Sequence, residues 1–500
     1  MSLIEYMLDK KLFYLIIGFI CSIFSIAKYN LSLFIFIWPY CFLAYLHKFE
    51  KKLFPIIIVS ICLLISNMFR WIGFSDKSVF LDFLIGIYFS IINIIPFIID
   101  IILYNKIEKW ASVFIFPSSI AFIEYVAAFC PIANYNCYAY ALRDYISFIQ
   151  ISSLFGSYFI SFIIAFFASN LDFSLNNYKS KNEISKLIYC YIIIILLINI
   201  FGFIRLLIKE EGGKNNIVAS LGSSQCLYVN GKESVLSIND YIDYIKKTII
   251  RANNSEAQLI IYAEEAFAIL IKDREEIVKR TVDLAKEYNI FVVLSLDIMF
   301  DENNNTNEAI LISNKGDILY NYQKQHLIPY IEDDNYKTKI EAKTFSTDLG
   351  KLGVVICYDI AFPYYINSLS NLGMDLLLIP SWDWNGITEH HSVNVRFRAI
   401  ENGINIIKST ANGIVLSTDY KGRFLSYYIS SSCEDYFVFS NINKAGVKTL
   451  YLYIGIAFNY LYLLAIIILI IIGRYKLIQK RRNNLGSIDA NNLIEFNLEN

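Results

Sequence analysis

Charged residues and metal-ligand patterns are what this 500-residue chain is short of. Only 18% of its residues are charged, against about 25% in an average soluble domain. The 44 basic and 45 acidic residues leave a net charge of −1, which gives no bulk attraction to nucleic acid or acidic surfaces. Nine cysteines contain no CxxC pair and four histidines show no ligand spacing, so no structural zinc site is indicated. Apolar residues fill the room that charge leaves, 56% of the total, and they are unevenly spread.

Seven apolar stretches come first, at roughly 12–27, 31–46, 53–74, 79–104, 111–129, 146–170 and 187–208, and an eighth lies at about 448–473. Crossing a bilayer core near 30 Å thick takes about 20 mostly apolar residues. Most of the stretches qualify, and the first two are short. The first lacks a small-residue cleavage site and is followed by further spans, so it reads as a retained helix. Basic residues alternate between loops. Lys10, Lys11, Lys48, Lys51, Lys52, Lys106, Lys109, Lys179, Lys181, Lys186 and the Arg474–Arg482 cluster fall on one side of an eight-span arrangement. The alternate short loops and their flanks hold only Lys28, Arg70, Lys77 and Arg143. The positive-inside rule then puts both termini in the cytoplasm and 209–447 outside. The expected division is seven transmembrane helices in 1–210, an outer domain in 211–447, an eighth helix in 448–474 and a polar tail in 475–500.

Cys21, Cys41, Cys62 and Cys190 lie in apolar segments and read as packing residues, whereas Cys130 and Cys137 share one loop, within reach of a disulfide if it faces an oxidising compartment. Asp82 and Asp100 sit near span ends, where interfacial solvation is cheap. Glu124 is deeper, with no basic residue opposite it in the sequence, and is given no role.

The outer segment alternates strand-like and helix-like patterns. Ile217–Gly222 and Leu259–Tyr262 read as strands, as do 290–297, 309–313 and Asp375–Pro380. A polar loop at 301–307 joins two of them. Ile238–Asn253 has helical periodicity with Ser237 as N-cap and Asp240 three residues on, and a second helix is expected at 274–287. This is an α/β domain with buried strands. Leu352–Ile356 forms an apolar run that delivers Cys357, with a turn expected at Pro363.

Cys357 alone is most economically a small core residue. Its company points to chemistry. Glu264 follows the strand LIIYA, and Lys324 lies in YNYQKQHLIPY. A thiol with an ordinary pKa near 8.5 needs a base to become a nucleophile at neutral pH. A partly buried glutamate supplies one, and a lysine with backbone N–H groups stabilises the oxyanion made by attack on an acyl carbon. Residue physics does not separate Glu264 from Glu265. His326 reads as a structural hydrogen-bonding residue, His390 and His391 as surface or mouth residues, and Glu401 as a buried partner.

YQKQHLIPYIE at 322–332 and VVICYD at 354–359 resemble the lysine motif Y-x-K-x-H-L-V-P-F-G-E and the cysteine motif V-x-I-C-Y-E of the apolipoprotein N-acyltransferases, membrane-integrated members of the nitrilase superfamily. RFRAIENG at 396–403 and KSTANG at 408–413 are similar to two further segments of that family. The resemblance implies a membrane domain of about eight helices carrying an extracytoplasmic αββα sandwich, in a bacterial inner membrane. It implies Glu264 as base, Lys324 as oxyanion stabiliser and Cys357 as nucleophile, with Glu332 orienting Lys324 and Tyr358 flanking the thiol. It further implies a phospholipid acyl donor, a diacylated lipoprotein acceptor, a thioester intermediate and no metal or organic cofactor. Departures are Ala263 for a proline, Asp359 for a glutamate, and SWDWNG at 381–386 for N-D-x-W-F-G. Trp382 and Trp384 either line a substrate entrance or pack at the membrane interface. The same triad in a membrane-anchored amidase, or a non-catalytic lipid-binding scaffold, is the alternative.

Overall fold

The computed structural model describes residues 11–26, 29–75, 78–107, 109–133, 135–176, 181–208, 216–222, 237–301, 304–329, 332, 341–430 and 436–498. Lys10, Lys28, Lys77 and Lys179, used above for orientation, lie outside the described residues.

The first half is helical: α1 (Lys11–Phe24), α2 (Phe34–His47), α3 (Leu53–Trp71), α4 (Val79–Leu103), α5 (Ile115–Ala127), α6 (Ser157–Asn176) and α7 (Lys181–Leu207). Among the described residues, six helices are long and apolar enough to cross a membrane, at 53–71, 79–106, 110–127, 157–176, 186–207 and 450–475. The eight-span expectation is reduced by α1 and α2, each of 14 residues, about 21 Å of helix. Helix α2 buries Trp38, Phe42 and Leu46 completely, so neighbouring helices rather than lipid cover it. The stretch at 146–170 is broken. Two short helical turns, Ile146–Ile149 and Ser152–Phe155, end at Gly156 with φ 80°, and α6 begins at Ser157.

Carboxylates in these helices have specific partners rather than interfacial water, which corrects the reading of Asp82 and Asp100. Asp82 accepts the backbone N–H groups of Gly73 and Ser75, each at 2.7 Å. His47 lies between Asp100 and Asp172, 2.7 Å from each. Glu124 accepts Tyr138 N–H at 2.8 Å and the Cys137 thiol at 3.1 Å. Cys130 and Cys137 are both free thiols.

Two stacked sheets follow. Strands β1 (Asn216–Gly222), β2 (Leu259–Tyr262), β3 (Phe267–Leu270), β4 (Phe291–Asp301), β5 (Asn304–Ile312), β6 (Ile318–Gln323) and β13 (Tyr436–Ile442) form one, ordered β13-β1-β2-β4-β5-β6 with β3 on β4. The other is β12-β11-β10-β9-β8-β7, from β7 (Phe345–Thr347), β8 (Gly350–Val354), β9 (Leu376–Ser381), β10 (Asn405–Thr410), β11 (Gly413–Thr418) and β12 (Phe424–Ser430). Ile261, Val293, Leu311, Val354, Leu378 and Ile407, all fully buried, belong to the core between the sheets. Helices α8 (Ile238–Asn254) and α9 (Arg274–Glu287) cover the first sheet, and α10 (Pro363–Asn371) and α11 (Thr388–Asn402) belong to the second layer. The result is an αββα sandwich. The chain ends in α12 (Leu450–Leu498).

Ser237 and Asp240 form a reciprocal capping box on α8, as their spacing implies. Elsewhere the expectations shift. The polar 301–307 stretch is mostly ladder, because β4 runs to Asp301 and β5 starts at Asn304. Asn and Asp there pair across an antiparallel hairpin, where backbone bonds override low strand propensity. Pro363 opens α10 at its first turn, where its missing N–H costs nothing.

Candidate active site

Strand β8 stops at Val354, and Cys357 begins a 3₁₀ turn, Cys357–Ala361, rather than ending the strand. Its φ of 44° puts a non-glycine residue in the left-handed region, a conformation that costs about 1–3 kcal/mol and persists where surroundings enforce it. Asp359 supplies that enforcement. Its Oδ2 accepts Ile356 N–H at 3.0 Å and the Tyr322 hydroxyl at 2.6 Å, and its Oδ1 accepts His326 N–H at 2.9 Å. His326 Nδ1 lies 2.7 Å from the same Oδ1, and its ring stacks on Phe362 at 3.9 Å. The shorter carboxylate thus joins the Cys357 turn to the loop after β6.

That loop carries Lys324, 4% exposed. Its Nζ donates to Glu264 Oε1 at 2.7 Å and to Glu332 Oε1 at 2.5 Å. Glu332 Oε2 accepts Ile328 N–H at 2.9 Å, which closes the loop on itself. Glu264, at the end of β2, also accepts Asn307 Nδ2–H at 2.7 Å, and its N–H donates to Ser381 O at 3.2 Å. The structure separates the two glutamates. Glu264 meets Lys324 and the Cys357 thiol, whereas Glu265 turns away at φ 53° and binds Asn307 at 3.1 Å. Asn307 lay inside the stretch read as a loop, so the sequence offered no sign of it.

Electrostatics follow from burial. Burial and the negative charge of Glu264 push the Cys357 thiol well above its usual range, with Lys324 opposing. Burial alone would discharge Lys324, but Glu264 and Glu332 outweigh it and hold the ammonium charged. Burial raises Glu264, and Lys324 limits the rise. A resting thiol beside a carboxylate that accepts its proton is the arrangement general-base activation requires.

The site is walled by the membrane domain. The Tyr358 hydroxyl donates to Pro131 O at 2.8 Å. The Trp384 indole donates to Phe74 O, and both side chains line a narrow apolar cavity of about 20 Å³ with Ile85, Ile132 and Ile328. Trp382 presents its carbonyl 3.9 Å from the Cys357 sulfur. Glu401 pairs with Arg398 at 2.7 Å and accepts Ser157 N–H at 2.8 Å, so the RFRAIENG segment clamps α11 to the start of α6. His390 and His391 are not surface residues, with exposures of 9% and 0%. His390 stacks on Trp71 at 4.7 Å, and His391 pairs with Asp383. Their polar character hid their place because a membrane-domain loop covers them.

Cys357, Asp383 and His391 bring three potential metal-ligand atoms within 4.8 Å of one another. Asp383 is already bound to Lys408 and His391, and the imidazole bonds at both nitrogens. Two ammonium groups, of Lys408 and Lys324, also act on His391. That donor set does not suit a divalent cation.

A buried Glu–Lys–Cys cluster on an αββα domain, seated on membrane-type helices, defines a nitrilase-like enzyme built for a membrane. Residues 220–434 match the carbon-nitrogen hydrolase family, and residues 19–170 match the apolipoprotein N-acyltransferase N-terminal domain. An apolipoprotein N-acyltransferase of Borreliella burgdorferi is 24% identical over 88% of this chain and 90% of its own. Apolipoprotein N-acyltransferase 2 of Treponema denticola is 25% identical over 62% of this chain and 66% of its own. Among solved structures, an amidase from Nesterenkonia sp. aligns at a TM-score of 0.40 and 18% identity, over 48% of this chain and 94% of that one. The chain belongs to the apolipoprotein N-acyltransferase family of the nitrilase superfamily.

Proposed function

We propose that this enzyme N-acylates lipoproteins, moving a fatty acyl chain from a phospholipid through a Cys357 thioester to the α-amino group of a diacylglyceryl-cysteine. Glu264 takes the thiol proton as sulfur attacks the ester carbonyl. Lys324 and backbone N–H groups after Cys357 hold the oxyanion, and Glu264 returns the proton to the departing lysophospholipid oxygen. The amine then attacks the thioester, Glu264 takes an N–H proton, and the thiol is regenerated. Glu332 orients Lys324, and Tyr358 positions the nucleophile turn. No step needs a cofactor.

The observation that carries this reading is the seating of the thiol. Cys357 lies where the catalytic domain meets loops of the membrane domain, through Tyr358–Pro131 and Trp384–Phe74. A lipid-tailed donor reaches such a place from the bilayer, and the apolar wall excludes hydrolysing water. Trp382 and Trp384 frame the entrance. The alternating basic loops support an inner-membrane location with the catalytic domain on the outer side. The test is N-acylation of a synthetic diacylated lipopeptide by purified enzyme with phospholipid in detergent. Mass gain by one acyl chain at the α-amino group is expected. Release of free fatty acid alone, with the lipopeptide unchanged, contradicts it.

A further inference from the structure

A second buried network borders Cys357, and the steps above leave it unused. Asp383 Oδ1 accepts His391 Nδ1–H at 2.8 Å and the Ser381 hydroxyl at 2.9 Å, while Oδ2 accepts Lys408 Nζ–H. His391 Nε2 lies 3.0 Å from the Tyr135 hydroxyl. Asp383, His391 and Lys408 are 0% exposed, and Tyr135 is 2% exposed. Tyr135 comes from the membrane-domain loop between α5 and α6. Its neighbour Asn136 is held by Arg70 Nη1–H at 3.2 Å and donates to Asn93 at 3.2 Å, so the loop is fixed from both sides. The Tyr135 ring stacks on Tyr358, next to the nucleophile, with centroids 6.0 Å apart.

The direction of the hydrogen bonds follows from the carboxylate. Asp383 takes Nδ1–H, which leaves Nε2 of a neutral imidazole as acceptor, so the Tyr135 hydroxyl donates to it. Its oxygen lone pairs remain available to a second donor. The groups facing His391 are Asp383 from the turn after β9, Lys408 from β10, Lys324 from the loop after β6, the Cys357 thiol, Tyr135 and the neutral His390 beside it on α11. Burial holds the imidazole below its usual range and neutral, with Asp383 opposing and both lysines reinforcing.

Aminolysis of a thioester needs such a group. An α-amino group with a pKa near 7.7–8.0 arrives at neutral pH mostly as ammonium, and only the free amine attacks. Glu264 accounts for one N–H proton, which it passes to the leaving sulfur. The extra ammonium proton needs another acceptor, and Lys324 is already held charged by its two glutamates. We propose that Asp383, His391 and Tyr135 form the relay that removes it. The ammonium N–H donates to the Tyr135 oxygen as the Tyr135 O–H proton passes to His391 Nε2. The products are a free amine, an intact phenol and an imidazolium held by Asp383, and once the amide product leaves the imidazolium gives the proton back through Tyr135 to entering water. This inference rests on the acyltransferase reading.

The test separates the two half-reactions. Cys357 is acylated with phospholipid in the wild type, Tyr135→Phe and His391→Gln. Deacylation is then followed in single turnover with diacylated lipopeptide or with hydroxylamine, an amine already unprotonated at neutral pH. In Tyr135→Phe, transfer to lipopeptide slows about 100-fold at pH 7 and recovers towards pH 9, while hydroxylamine cleavage stays within about threefold of wild type. His391→Gln behaves alike, and the double variant is no slower than either single one. Equal slowing with both amines, or a loss independent of pH, overturns the relay and leaves a packing role. If wild-type Cys357 takes no acyl group at all, the acyltransferase reading falls first, and the relay with it.

Discussion

Asp359 Oδ1 lies 2.7 Å from His326 Nδ1 and 2.9 Å from His326 N while Oδ2 accepts Ile356 N–H, so one carboxylate fixes both the Lys324 loop and the Cys357 turn. Where the family motif has glutamate, the shorter side chain is fully buried and fully used. Asp359→Glu adds a methylene to a packed site, which costs about 1–3 kcal/mol. Asp359→Asn replaces one accepting oxygen with a donor facing donors, about 1–3 kcal/mol per group left unpaired. Both variants are expected to melt earlier and acylate more slowly, with Asn the worse for activity. Thermal melting in detergent beside acyl-enzyme formation measures this, and an unchanged Asp359→Asn contradicts it.

Lys324 carries its charge in a buried place because Glu264 and Glu332 outweigh the cost of burial. Lys324→Ala leaves Glu264 buried without its partner, and breaking such a pair costs about 3–5 kcal/mol. Activity is expected to fall by at least about 100-fold, as for removal of an oxyanion donor. Lys324→Arg does not rescue it, because a planar guanidinium cannot occupy a point-charge site between two carboxylates. Steady-state N-acylation with melting curves separates the two losses.

Gly386 shows how closely the two domains approach. A Cβ there would lie 2.2 Å from Gly73 O and 2.5 Å from Phe74 O, and backbone atoms cannot yield as side chains do. Gly386→Ala is therefore predicted to push the Trp384 turn off the membrane loop that accepts its indole N–H. The expected result is a melting temperature several degrees lower and faster proteolysis between the domains. Wild-type stability in this variant speaks against the contact.

His390 makes stability depend on pH. Burial, with Arg143 adding to it, lowers its pKa from 6.5 to about 3. The unfolded chain binds a proton there at higher pH than the folded one, so stability from this residue is full above about 6.5. It is lost as pH falls from there towards 3. His390→Gln is expected to flatten the melting temperature between pH 6.5 and 4.5 relative to wild type, and an equally steep wild-type and variant curve would count against it.

Much of this was legible in the sequence because the signals were local. The apolar runs gave the helical domain, Ser237 and Asp240 gave a cap, and strand-terminal Glu264 and Cys357 with Lys324 gave a candidate cluster that the fold brings together. What was hidden depends on distant pairing. Asn304–Asn307 read as loop, yet they form strand because β4 supplies a ladder. His390 and His391 read as surface or mouth residues, since nothing local places Tyr135, 256 positions away from His391, against the imidazole. Helix α2 read as a span because composition does not distinguish lipid from surrounding protein.

Whether Cys357 carries the acyl chain is read from the intact mass of the protein. Purified protein is incubated with phospholipid and compared with Cys357→Ala. A hydroxylamine-sensitive gain of one fatty acyl chain is expected in the wild type and none in the variant. Folded wild-type protein that gains no acyl mass, or a variant that gains it equally, rules out Cys357 as the acyl carrier.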